Sequence, residues 1–309
     1  MDTSPNNPTL PPDRSGVGTE SRNPGSERLH TLSSAECVRL INREDRKVIE
    51  ALDAAADDLA ALIDEVVPRF ARGGRLIYLG AGTSGRLGVL DASEAPPTFQ
   101  VDPGRVVGII AGGDAALRRS SESMEDLANG ARAELESLGL TPDDTVIGLA
   151  AGGTTPYPRG ALAIAKGLAP GCLTAMIVCC PTPGPEGCDH LIVLDTGPEV
   201  VTGSTRMKAG TATKLALNTI STTVMVRTGR VYRDLMVDLR ATNDKLKDRA
   251  ARIVGTLTGL DRPAAFVLLD HAGGGVKCAV VMHALNLDRE QAEARLAEAG
   301  GRLDAILGD

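Results

Sequence analysis

The sequence predicts an α/β fold: a doubly wound, five-stranded parallel sheet with helices before it and a small helical module after it. Three observations carry this. Short, continuously apolar runs stand at 76–79, 106–110, 146–150, 173–180 and 191–194. Helical patterns separate most of them. Unbroken apolar strands joined by helical crossovers belong to a sheet covered on both faces, whose ligands bind at the carboxyl ends of the strands.

The elements follow in order. Residues 1–32 are rich in Pro, Ser, Asn and Gly and poor in large apolar side chains, and are expected to be a flexible arm. Ser33 and Glu36 then have the spacing of a capping box. Val38, Leu40, Ile41, Val48, Ile49, Leu52, Leu59, Leu62, Ile63 and Val66 recur at helical intervals, as one long helix or two consecutive ones. With the five strands this makes a domain over 33–230. From 205 onward the pattern is helical, and 231–309 is expected to be a C-terminal helical region with segments at 243–259, 264–269, 276–285 and 292–296.

Composition removes several classes of function. The chain has 309 residues and a formal charge of −7, so it has no electrostatic reason to bind nucleic acid or an anionic membrane. Aromatic residues are 2% and Trp is absent, which argues against a base-stacking platform. There is no charged-then-apolar leader and no apolar run long enough to span a bilayer. The cysteines Cys37, Cys172, Cys179, Cys180, Cys188 and Cys278 include no C-x-x-C pair. Those near 172–188 read better as small hydrophobes of a strand than as metal ligands. A reducing cytoplasm is the expected setting.

The chemistry-bearing residues gather in four places. The first strand runs into Gly80-Ala81-Gly82-Thr83-Ser84-Gly85-Arg86, which satisfies G-x-G-x-x-G. The next strand ends Ala111-Gly112-Gly113, with Asp114 only after it to hold a ribose, so a dinucleotide site is only half specified. Gly82 with the hydroxyls of Thr83 and Ser84 at a helix start suits a phosphate instead. A second loop, Gly152-Gly153-Thr154-Thr155-Pro156, follows the third strand, with Pro156 suited to a first helical turn. A third stretch over 196–214 contains Ser204, Thr205, Arg206 and Lys208, and its pattern is expected to open a helix whose N–H groups favour an anion. The acids form the fourth group. Glu94 precedes Pro96-Pro97, a pair expected to end its helix. Glu125 lies in Ser121-Glu122-Ser123-Met124-Glu125-Asp126 near an expected helix start. By residue type alone, Glu94 reads as a solvated surface acid and Glu125 as an acid favoured by a helix dipole.

At these residues the chain resembles the N-acetylmuramic acid 6-phosphate etherases, which carry a sugar isomerase (SIS) domain. The resemblance runs from Thr19-Glu20-Ser21-Arg22-Asn23 and Ile41-Asn42-Arg43-Glu44-Asp45 through 73–99, Ile110-Ala111-Gly112-Gly113, Glu125-Asp126 and 197–214. It ends at Leu235-Met236-Val237-Asp238 and Ala241-Thr242-Asn243. It implies an SIS-type sheet and conversion of N-acetylmuramic acid 6-phosphate and water to N-acetylglucosamine 6-phosphate and D-lactate, with no metal or organic cofactor. It also implies Glu94 and Glu125 as catalytic acids. Glu94 would protonate the leaving lactyl oxygen, and Glu125 would handle the proton of C2 or of the incoming water. Substrate binding would fall to Gly82, Thr83, Ser84, Gly153, Thr154, Ser204, Thr205, Arg206 and Lys208, in a homodimer with sites near the subunit interface. The chain departs from the family at Gly152 and Thr154, where a serine and an arginine are usual, and at Cys180 and Asp234, where asparagine is common. The alternatives are a non-catalytic sugar-phosphate sensor of the glucokinase regulatory protein kind, an aldose–ketose isomerase and, last, a dinucleotide oxidoreductase.

Overall fold

The computed structural model describes residues 13–119, 122–239 and 244–308. Two helices, α1 (Ser34–Ala54) and α2 (Ala56–Ala71), lead the fold and break at Ala55. The Ser33–Glu36 capping box is present in both directions, so two of the end N–H groups of α1 are satisfied locally. The strands are β1 (Leu76–Gly80), β2 (Val106–Ile110), β3 (Thr145–Leu149), β4 (Leu173–Val178) and β5 (His190–Val193). They pair in parallel in the order β2-β1-β3-β4-β5.

Both faces of the sheet are covered, which is why the strands read as unbroken apolar runs. Alternate side chains point to opposite faces. Leu76, Tyr78, Ile147, Leu149, Ala175 and Ile177 face a core shared with α2, α3 (Gly82–Phe99) and α6 (Lys208–Arg227). Ile77, Leu79, Val146, Met176 and Val178 face a second core with α4 (Arg132–Leu138) and α5 (Pro156–Leu168). Cys172 is buried in this second core and Cys179 in the first, Cys180 is buried beside them, and burial pushes the Cys179 thiol up to about 12. No single helix among the described residues is long and apolar enough to cross a membrane.

The tail has its own core. Helices α7 (Asp244–Thr258), α8 (Arg262–His271), α9 (Val276–Leu285), α10 (Arg289–Glu298) and α11 (Asp304–Leu307) surround Val254, Leu269, Val280 and Ala292. The pattern missed a hairpin of β6 (Val231–Tyr232) and β7 (Leu235–Met236), whose two-residue strands are too short to show a period. Residues 241–243, part of the expected helix start and of the resemblance, lie outside the described residues.

Two expectations are corrected. Pro96-Pro97 does not end α3, which runs on to Phe99 and closes where the Gln100 N–H donates to the Pro96 carbonyl at 3.1 Å. The two prolines remove two ladder donors, but Ala95 and Phe99 on the same helix pack against the main core and hold the last turn. The arm is also not wholly loose. Residues 1–12 lie outside the described residues, but Gly18–Glu20, Pro24–Ser26 and Leu29–Thr31 form 3-10 turns, with Thr19 and Asn23 buried. Polar anchors, rather than large apolar side chains, hold this segment.

Candidate active site

The strand order reverses between β1 and β3, so the crevice for a ligand opens at their carboxyl ends. Helix α3 starts one residue after β1. Its N-cap is Ala81, whose side chain makes no capping bond, and Gly82, Thr83 and Ser84 form the first turn. Gly82 has φ +52°, in the region that favours glycine, and a Cβ there would lie 3.2 Å from Glu125 Oε1. The carboxylate of Glu125 thus sits against the start of α3.

The same residue reaches the second loop. The backbone N–H of Tyr157, in the first turn of α5, donates to the Glu125 carbonyl at 3.0 Å. Glu125 therefore bridges the starts of the two helices that flank the crevice. It lies past the 3-10 turn Glu122–Met124 and well before α4, not at the start of a helix. Of the segment around it, Ser121 lies outside the described residues. Gly153 has φ +69°, and a Cβ there would run into the Thr182 side chain. Arg159 braces this loop: its Nη1 donates to the carbonyls of Gly153 at 2.9 Å and Pro183 at 3.2 Å. Sequence reasoning missed Arg159, since one arginine on a helix carries no pattern. Arg86 is likewise a brace, donating to the carbonyls of Leu117 and Ala116.

The third stretch joins the first loop. A Cβ on Gly210 would lie 3.4 Å from Thr83 Cγ2, so the opening turn of α6 lies against that of α3. Ser204 and Thr205 are half-buried and Arg206 is exposed. Two expectations fail here. The start of α6 is not open to an anion, because Glu199 occupies it, accepting from the N–H groups of Lys208 at 3.0 Å and Ala209 at 2.9 Å. Burial raises the Glu199 carboxyl, and those N–H groups oppose the rise. Lys208 is not turned toward a ligand either. Its side chain is fully buried, and Nζ donates to Glu44 Oε2 at 3.1 Å and to the Pro198 carbonyl at 2.8 Å. Asn23 and Lys47 donate to the same Glu44 oxygen at 2.7 and 2.9 Å. Burial pushes the Glu44 carboxyl up, but Lys47, Lys208 and Asn23 outweigh it and hold the group at about 2. Lys208 is thus a structural anchor.

Glu94 stands apart. It is twelve residues beyond Gly82 on one helix, about 18 Å along the axis. It is exposed, at the rim of a groove of about 340 Å³ between α3 and α6 that is also lined by Asp91, Lys214 and Asn218. Within one chain the structure does not bring Glu94 to Glu125. Asp91, one turn earlier, accepts from Ser221 Oγ at 3.1 Å. Burial raises it to about 6, against the pull of Ser221, Tyr78 and Lys214. Between its ordinary 3.8 and about 6 the folded chain binds the extra proton, so stability falls as pH rises through that window. Asp91→Asn is expected to be more stable than wild type by about 1–3 kcal/mol at pH 8, with the gap closing by pH 4. Urea unfolding at the two pH values checks this, and an equal gap at both would show that Asp91 is not shifted.

The profile of the glucokinase regulatory protein N-terminal SIS domain matches residues 58–166. The N-acetylmuramic acid 6-phosphate etherase of Synechococcus sp. (strain CC9605) is 52% identical over 294 residues, covering 94% of this chain and 92% of the relative. That of Gloeobacter violaceus (strain ATCC 29082 / PCC 7421) is 52% identical over 297 residues, 96% of each chain. Among solved structures, a putative phosphosugar isomerase from Bacteroides fragilis aligns with a TM-score of 0.46 and 16% identity, over 63% of this chain and 92% of its own. On identity of this extent along nearly the whole length, the chain belongs to the N-acetylmuramic acid 6-phosphate etherase family.

Proposed function

We propose that the chain cleaves the D-lactyl ether of N-acetylmuramic acid 6-phosphate, giving N-acetylglucosamine 6-phosphate and D-lactate, a step in the recycling of peptidoglycan amino sugars. One observation carries the reading. A carboxylate, Glu125, bridges two glycine- and threonine-rich helix starts at the switch point of the sheet. Those helix starts suit the phosphate, and the carboxylate lies where the sugar would be held.

Opening the sugar ring exposes an aldehyde at C1, which acidifies the proton on C2. A carboxylate takes that proton, the C3–O bond breaks, and the departing lactyl oxygen takes up a proton. Water then adds at C3 of the unsaturated aldehyde, so one water is consumed overall. We assign the C2 or water proton to Glu125 and the leaving-group proton to Glu94. Because Glu94 lies three turns from Glu125 on its own chain, a second copy of the chain is proposed to supply it. Its exposure beside the exposed Leu90 supports that arrangement. The unpaired thiols Cys37, Cys172, Cys179, Cys180, Cys188 and Cys278 suit a reducing, cytoplasmic setting.

The test is D-lactate release from N-acetylmuramic acid 6-phosphate by the purified chain, followed with a D-lactate-specific coupled assay. Stoichiometric D-lactate and N-acetylglucosamine 6-phosphate are expected. A folded chain that binds the sugar phosphate and leaves it unchanged would make it a sensor. Aldose–ketose interconversion without lactate would make it an isomerase.

A further inference from the structure

The first 3-10 turn among the described residues, Gly18–Glu20, plays no part in the reaction as assigned above, yet it lies across the carboxyl edge of the sheet. A Cβ on Gly18 would meet Cys180 Cβ, just past β4, at 3.1 Å. Glu20 Oε2 lies 3.0 Å from where a Cβ on Gly203 would stand, in the third stretch. Between them, Thr19 is 2% exposed, and its hydroxyl has no hydrogen-bond partner among the described residues.

Where that hydroxyl lies is informative. A Cβ on Gly152, in the second loop, would stand 3.1 Å from Thr19 Oγ1 and 3.9 Å from Thr154 Oγ1. Two hydroxyls thus flank Gly152, with Val17 Cγ1 3.3 Å from the same point. An unpaired buried hydroxyl is a net cost to folding, and valine would fill the same volume without it. A hydroxyl donates best to a charged oxygen, and the neighbouring loop opens a helix, where an anion is favoured. Resting on the reading of this loop as the phosphate cradle, we propose that Thr19 is a substrate-binding residue. The Gly18–Glu20 turn lends the Thr19 hydroxyl, with that of Thr154, to a phosphate oxygen of the sugar at Gly152.

Thr19→Val and Thr19→Ser test this in the full chain, with two ligands. For Thr19→Val, the KM for N-acetylmuramic acid 6-phosphate is expected to rise about tenfold, equivalent to about 1.4 kcal/mol. The Kd for inorganic phosphate by calorimetry should rise by a similar factor. The change in kcat should be much smaller than that in KM, and Thr19→Ser should recover most of the affinity. The thermal midpoint of Thr19→Val should not fall, since the change removes an unpaired buried hydroxyl. Unchanged KM and Kd in Thr19→Val would overturn the assignment. So would an equal loss in Thr19→Ser accompanied by a lower midpoint, which would reduce Thr19 to packing. Phosphate binding needs no turnover, so it separates the two readings. A wild type that binds phosphate but releases no lactate sinks the reaction and leaves Thr19 to be judged on phosphate alone. A wild type that binds neither ligand sinks both.

Discussion

Glu125→Gln is expected to lower kcat for D-lactate release by about 10²–10⁴-fold, the usual contribution of a positioned acid or base. The amide keeps the shape of the side chain. It also leaves in place the backbone carbonyl of residue 125, which accepts from Tyr157 N–H. What it removes is the ability to exchange a proton. Glu94→Gln should cost about as much. The structure adds a sharper expectation. If each site combines Glu125 of one chain with Glu94 of another, a co-refolded mixture of the two inactive variants must regain activity. A mixed dimer then holds one intact site and one doubly defective one, so equal mixing restores about a quarter of wild-type activity. No recovery on mixing would place both acids in one chain, contrary to the separation along α3. Full activity in either single variant would remove that residue from the mechanism.

The second large effect is on stability. Lys208→Met is expected to destabilise the fold by about 3–5 kcal/mol, because it leaves the Glu44 carboxylate buried without its buried cation. The pH dependence identifies the cause. Glu44 is held at about 2 in the folded chain against an ordinary 4.5. Its folded value is depressed, so its stabilising contribution is complete above pH 4.5 and is lost as pH falls from 4.5 toward 2. The deficit of Lys208→Met should therefore be full at pH 7 and shrink below pH 4.5, as urea unfolding would record. A variant that keeps wild-type stability and loses substrate affinity instead would return Lys208 to the ligand site, where the sequence alone had put it.

Lys208 shows where reading the sequence stops. Its motif is dense in hydroxyls and bases, a composition that fits anion binding. Only the fold shows that Glu44, 164 residues earlier, turns this lysine inward and that Glu199 fills the helix start beside it. The five strands were legible for a plain reason: burial on both faces removes polar residues from them. The Ser33 cap was legible because both partners are three residues apart. Pro96-Pro97 misled because a local rule about donors was outweighed by packing of Ala95 and Phe99. Glu125 read as a solvated helix-start acid for a similar reason. Its carboxylate and carbonyl contacts come from residues 43 positions before it and 32 after it, beyond any periodic pattern.

The anchoring of residues 23 and 44 has a consequence for the order of folding. Asn23 bonds to Pro198 across 175 residues, and Glu44 to Lys208 across 164. Contacts so distant in sequence form late, after local helices and neighbouring strands. Residues 23 and 44 are therefore among the last to find their partners, docking only once the chain through Lys208 is available. Until then a folding chain can hold most of its sheet and still lack the turn that lies against the second loop, so the site is finished by a segment that precedes the sheet in sequence.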